Sequence, residues 1–142
     1  MILDTTYNNK ENTILIENLV GRSFTLFEAF KIKGIGSKRM IIEDVSENLK
    51  LYLNKVSDIN YANIELRTKG VLIYINKGLQ NFTWAIPYYQ LVIYKTKTTS
   101  IHAQGNYIRF KMNKTLKENK TFFKKLISEK LKYNQKYSAP SL

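Results

Sequence analysis

The sequence predicts an α+β fold. A six-stranded antiparallel sheet or partial barrel is closed by a C-terminal amphipathic helix and preceded by an N-terminal strand and helix segment. Three observations carry this reading. Short apolar–polar alternations recur from Tyr61 to Met112, which is the period-2 signature of half-buried strands. Glycine-containing breaks at Lys69-Gly70, Lys77-Gly78 and Gly105-Asn106 separate them. From Thr115 onward the apolar residues fall instead on one side of a helix.

Taken in order, residues 1–12 are polar and Asn-rich and read as frayed. Thr13-Ile-Leu-Ile16 reads as a short strand ended by Gly21, and Phe24 to Lys31 fits either a short helix or a strand. Gly34-Ile-Gly-Ser37 is a turn with Ser37 as a helix N-cap. Ile41, Val45, Leu49, Tyr52, Leu53 and Val56 then recur at steps near three and four, which predicts a helix over residues 38–56.

Asn63 to Thr68 alternates, and Val71-Leu-Ile-Tyr-Ile75 is apolar on both faces. A two-residue turn at Lys69-Gly70 would set Leu66 opposite Ile73 and Ile64 opposite Ile75. Phe82, Trp84 and Ile86 make the next strand, which ends at Pro87 or lies at an edge, since proline has no N–H for a ladder. Leu91 to Tyr94 is the fourth. Residues 98–104 and 107–112 flank a turn at Gly105-Asn106, which would place His102 opposite Arg109 and Ile101 opposite Phe110, with Phe110, Ile108 and Met112 inward.

The last helix starts at Thr115 with Glu118 at capping-box spacing. Leu116, Phe122, Phe123, Leu126, Ile127, Leu131 and Tyr133 form its apolar half; Lys117, Lys124, Lys125 and Lys132 form the other. Residues 138–142 read as a loose tail. With no repeat or linker-like stretch, residues 1–142 read as one domain, long enough to bury a core: 1–60 the strand and helix segment, 61–137 the strands and closing helix.

Charge narrows the function. The net charge is +12. Residues 1–60 hold eight acids and eight bases, whereas residues 61–142 hold fifteen bases and three acids, so the excess lies on the strands and last helix. Such asymmetry points to an anionic partner. Nineteen of the 23 bases are lysine, in a chain also rich in Asn, Ile and Tyr. Coding bias towards AT-rich codons gives the same mixture, with lysine serving only to solvate the surface.

Catalytic chemistry is poorly supplied. There is no cysteine, hence no disulfide or thiolate metal site, and His102 is the only histidine. It reads as a surface residue beside a cation, not a catalytic base. No nucleophile-elbow motif occurs, and Gly34-Ile-Gly-Ser-Lys38 lacks the spacing of a phosphate loop. No metal or other cofactor is expected. The start of the chain shows no basic segment followed by an apolar run, and no stretch reaches ~18 uninterrupted apolar residues, so a cytoplasmic setting is the expectation.

The order of short antiparallel strands, the segment Trp84-Ala-Ile-Pro-Tyr-Tyr-Gln-Leu91 and the single C-terminal amphipathic helix resemble the pleckstrin-homology-like domains of bacteria, over roughly residues 61–137. The resemblance implies a bent, nearly closed seven-stranded barrel with the helix plugging one end, and a role in binding anionic lipid headgroups or proteins. The spacing of Arg67, Lys69 and Lys77 is not that of the phosphoinositide-binding members, and the last helix lacks the tryptophan of eukaryotic members.

The expected function is therefore non-catalytic binding. Arg67, Lys69, Lys77, Arg109 and Lys111 are the candidate residues for an anionic partner, either an acidic protein or lipid headgroups. Nonspecific nucleic-acid binding is the alternative; with only four arginines, base-specific reading is not expected. A small enzyme with an unfamiliar site is the third reading.

Overall fold

The computed structural model describes residues 1–54 and 59–137. In chain order these form β1 (Ile2–Asp4), α1 (Lys10–Val20), α2 (Leu26–Ile32), β2 (Met40–Val45), β3 (Tyr61–Leu66), β4 (Gly70–Lys77), β5 (Gln80–Pro87), β6 (Val92–Lys95), β7 (Thr99–Ala103), β8 (Asn106–Phe110), α3 (Lys114–Glu118) and α4 (Lys120–Tyr137). The strands make one open antiparallel sheet of eight, not six, in the order β1-β5-β4-β3-β2-β8-β7-β6. The two additional strands come from the N-terminal segment.

That segment differs most from expectation. Ile2–Asp4 is not frayed: it pairs with β5, Ile2 opposite Trp84. Residues 13–16 are helical within α1, whose Asn9 cap accepts the N–H groups of Glu11 and Asn12. Thr25 and Glu28 form a capping box that makes residues 26–32 a helix. The helix expected over 38–56 is instead β2 followed by a 3-10 turn, Glu47–Tyr52; positions 55 and 56 lie outside the described residues. Ser37 caps no helix: its hydroxyl accepts the Ile64 N–H at 2.8 Å and its own N–H donates to the Ile64 carbonyl at 2.8 Å.

Both hairpin turns lie one residue earlier than expected, so both registers shift by two and every side chain keeps its face. Leu66 stands opposite Val71 and Ile64 opposite Ile73, with the turn at Thr68-Lys69. His102 stands opposite Tyr107, not Arg109, and Ile101 opposite Ile108. Gly70 serves close packing: a Cβ there would sit 2.3 Å from the Ile86 carbonyl oxygen. In the second hairpin Gln104 and Gly105 both take positive φ, 55° and 77°. The Gln104 side chain holds that conformation. Its Oε1 accepts the Met1 ammonium at 2.6 Å and Trp84 Nε1 at 3.1 Å, and its Nε2 donates to Gln90 Oε1 at 2.7 Å. This one residue links the two ends of the sheet.

The main core gathers Trp84, Tyr88, Ile73, Ile101, Ile108 and Phe110 against Phe122, Phe123 and Leu126 of α4. On the other face of β4 and β5, Ile16 and Val20 of α1 cover Leu72 and Ala85. Two covered faces explain why Val71–Ile75 is apolar throughout. Three apolar assignments are corrected: Met112, beyond the end of β8, and Leu131 of α4 are exposed, and Ile41 is only half-buried, because β2 turns Met40 and Ile42 inward. The C-terminal helix is also divided. Asn113, not Thr115, caps α3 by accepting the Leu116 N–H at 3.0 Å, and Glu118 pairs with Lys38 at 2.7 Å instead of completing a capping box. The tail, 138–142, lies outside the described residues.

Candidate anion-binding surface

The end of α1 is strapped to the β3–β4 turn. Lys69 N–H donates to the Val20 carbonyl at 2.7 Å, and Thr68 Oγ1 donates to the Arg22 carbonyl at 3.2 Å. This strap faces the last turns of α4 across a cavity of about 600 Å³, lined by Arg22, Lys69, Lys132 and Lys136 with Tyr133 and Tyr137. Among the described residues Glu17 and Glu129 are its only acids. The Lys69 ammonium stands 5.7 Å from the Tyr137 ring, a cation–π distance.

A second cavity, about 680 Å³, lies between α2 and α4 and takes Lys31, Lys124, Lys125 and Lys132. Glu129 and Lys132 belong to both, so the two make one groove along α4. The acids of this groove are largely engaged. Arg22 grips Glu28 with two nitrogens at 2.8 and 3.1 Å, and the Thr25 N–H adds a bond at 2.9 Å. The guanidinium, then the Thr25 amide, hold the Glu28 carboxyl down at about 2. Glu129 is paired with Lys132 at 3.5 Å. The lysines of the groove therefore outnumber free carboxylates. Lys125 is itself anchored, its ammonium donating to the Lys33 carbonyl at 2.7 Å.

Beside the groove, α2 projects Leu26 and Phe30, 92% and 83% exposed, with Phe27 next to them. Lys31 lies over the Phe27 ring at 4.8 Å. The apolar projection and the lysines thus share one helix.

Of the five residues singled out by the sequence, Lys69 lines the groove. Arg67, nearby, braces the fold. Its side chain is 13% exposed and its Nε donates to Glu65 at 3.1 Å, while Nη1 reaches the Gly21 carbonyl at 3.4 Å. Tyr74 donates to the same Glu65 at 3.2 Å; burial first, then the carboxylate, push its hydroxyl up to about 12. Lys77 sits at the opposite end of β4, donating to the Leu51 carbonyl at 2.8 Å. Arg109 and Lys111 lie on and just beyond β8, separated from β3 and β4 by β2. A bulge in β2 between Ile42 and Asp44 turns two acids toward Arg109, which meets Glu43 at 3.0 Å and Asp44 at 3.4 Å. The five do not converge. The groove residues Arg22, Lys31 and Lys136 were not singled out because only the tertiary placement of α2 and the end of α1 across the cavities from α4 brings them together. The visible signal was the lysine half of the last helix.

His102 lies on the outer face of β7, as the alternation implied. Its ring stacks on Tyr107 at 5.4 Å and meets Tyr94 edge-on at 4.7 Å, and Nε2 is 3.0 Å from Ser100 Oγ. Desolvation lowers its pKa. It opens on a cavity of about 430 Å³ whose described lining residues include no acid, so nothing there orients the imidazole as a triad carboxylate would. Among the described residues no cluster of three His, Cys, Asp or Glu could hold a metal, and no helix is long and apolar enough to cross a membrane. Comparison with protein-family models, with curated proteins and with solved structures gives no match to this chain.

Proposed function

We propose that the chain is a non-catalytic binding domain that meets an anionic partner, an acidic protein or a layer of lipid headgroups, along the groove beside α4. The observation that carries the reading is the continuity of the two lysine-lined cavities: of their acids Glu28 is paired with Arg22 and Glu129 with Lys132, which leaves Glu17 against Lys31, Lys69, Lys124, Lys125 and Lys136. Lysine suits a diffuse anionic surface, since its ammonium is a point charge without the bidentate fork that selects one geometry. The exposed Leu26, Phe27 and Phe30 favour a partner with apolar as well as acidic parts. A cytoplasmic setting belongs to the same proposal, because anionic lipid faces that side of a membrane.

The resemblance to pleckstrin-homology-like domains is part of the proposal. Its support is topological: β2–β5 and β6–β8 are four and three antiparallel strands joined through β2 and β8, followed by a closing helix. Seven is the strand number of that family; here it is reached by adding β2, which precedes residue 61, to the six strands of residues 61–137, and β1 extends the same sheet to eight.

The test is binding at ~0.15 M salt, where a Debye length of ~8 Å leaves only close charge contacts. Vesicles with and without phosphatidylserine, polyglutamate and a mixed-sequence oligonucleotide are compared, each against K69E/K132E/K136E. Binding to the acidic vesicle or polyglutamate that the triple variant loses is expected. Preference for the oligonucleotide would transfer the surface to nonspecific phosphate contact. Binding to none of them, or binding the variant retains, would remove the reading.

A further inference from the structure

A third cavity lies away from the groove, between the β6–β7 turn and the junction of α3 with α4. It measures about 240 Å³ and its lining is mostly carbon. Met112, Leu116 and Phe123 form the floor. Lys95 and Lys97 stand on one side of the rim, Lys117 and Lys120 on the other. No acid lines it among the described residues. The acid nearest in sequence, Glu118, is held by Lys38 at 2.7 Å.

The rim is built rather than loose on the turn side. Thr96 N–H donates to the Thr98 carbonyl at 3.0 Å, and Thr98 Oγ1 donates to the Phe110 carbonyl, tying the turn to the end of β8. Lys95 Nζ leans to 6.0 Å from the Phe123 ring.

An apolar floor beneath four cations without a carboxylate is the complement of one kind of molecule. We propose that this cavity binds a small amphipathic carboxylate, with a short acyl chain or a single aryl ring on Met112 and the exposed edge of Leu116, above the buried Phe123, and the carboxylate among the lysines. The volume is smaller than the ~300–1,000 Å³ usual for drug-sized ligands, which limits the apolar part to one chain or ring. An inorganic anion would leave the floor wet. Phe123 is 1% exposed, so it offers no open face for base stacking, which sets nucleic acid aside here.

The experiment is an NMR titration of the full chain with octanoate at ~0.15 M salt, below its micellar concentration, with octanol and acetate as controls. Octanoate is expected to bind saturably at one site, shifting the amides of residues 95–99 and 112–123, while octanol, which lacks the charge, and acetate, which lacks the chain, bind much more weakly. K97E/K117E, two exposed positions, should weaken octanoate about tenfold. M112D, also exposed, should weaken it by introducing a charge on the floor; thermal unfolding confirms that both variants fold. Three results would each overturn the proposal: shifts that never saturate, shifts centred on the groove beside α4, or an affinity that both variants leave unchanged.

Discussion

Asn119 closes a two-way hydrogen-bonded ring with the backbone of Lys38. Its Oδ1 accepts the Lys38 N–H at 2.8 Å and its Nδ2 donates to the Lys38 carbonyl at 3.2 Å. The side-chain amide thus pairs with the chain entering β2 as a neighbouring strand would, and Nδ2 also reaches the Thr115 carbonyl at 3.0 Å. Asn119 is 2% exposed, so its partners have no water to replace it. Asn119→Ala is expected to cost ~1–3 kcal/mol in denaturant unfolding, because it strands a donor and acceptors in a dry site. Glu118→Gln, one residue away, removes only an exposed ion pair to the same Lys38 and should change stability by less than ~1 kcal/mol. Equal costs for the two would refute this division.

Gly70 and Gly36 separate glycines needed for space from glycines that merely punctuate. A Cβ on Gly70 would stand 2.3 Å from the Ile86 carbonyl oxygen and 2.9 Å from Pro87 Cα, both backbone atoms that cannot swing aside. A Cβ on Gly36 meets nothing within 4 Å. Gly70→Ala should therefore lose ~1–3 kcal/mol through overpacking, while Gly36→Ala stays within ~0.5 kcal/mol of the parent. Thermal unfolding of the two variants side by side decides it.

The strands from Tyr61 onward were legible because alternation is a local signal, and residues such as Ile64, Leu66 and Ile73 report their own burial. Turn position was less legible. Lys69-Gly70 looks like a glycine turn, yet Gly70 is reserved for contact with β5, a demand set by residues 16 positions away. The helix expected over 38–56 failed for a physical reason. The bulge in β2 inserts one residue, so its inward side chains are Met40, Ile42 and Val45, and the 3-10 turn then places Leu49 inward. A strand with a bulge followed by a turn thus mimics steps of three and four. In α1 the β-branched and apolar run Thr13–Ile16 hid a helix that buries only Ile16 and Val20. The groove was half legible, as the lysine face of α4; its other wall depends on where α2 and the end of α1 come to lie in the fold, which no local pattern records.

Glu28 supplies a pH test of that wall. Arg22 and the Thr25 N–H stabilise its charged form, so the carboxyl titrates at about 2 in the fold instead of the ordinary 4.5. A depressed acid contributes fully above its unfolded value and loses that contribution as pH falls through the folded one. The anchoring of α2 should therefore be intact above about pH 4.5 and weaken from there towards pH 2. A carbon NMR titration of the Glu28 carboxyl should show the low midpoint, and Arg22→Gln should raise it while the Thr25 bond keeps it below the ordinary value. A midpoint near 4.5 in the parent would mean that the pair does not form in solution.

The closing helix gives the last prediction, and it separates two roles that share one amphipathic pattern. Phe123, Ile127 and Leu131 fall on a single stripe, so the pattern alone ranks them together. The fold does not. Phe123 is packed edge-on with Phe122 at 5.8 Å and near Phe110 at 6.4 Å, whereas Leu131 is 55% exposed. Phe123→Ala should cost ~3–5 kcal/mol, since it removes a ring that is 1% exposed and packed on Phe110 and Phe122. That is a large share of a domain stability of ~5–15 kcal/mol. Leu131→Ala should stay within ~0.5 kcal/mol. Deleting residues 115–142 should abolish or greatly lower the thermal transition, because Leu116, Phe122, Phe123 and Leu126 leave with the segment. A detachable membrane anchor with the same pattern would behave in the opposite way: the truncated chain would keep its transition and lose only vesicle binding. Burial of Phe122, Phe123 and Leu126, half-burial of Ile127 and exposure of Leu131 commit the apolar side of the first turns of α4 to the core, while Lys124, Lys125, Lys132 and Lys136 on its other side line the groove.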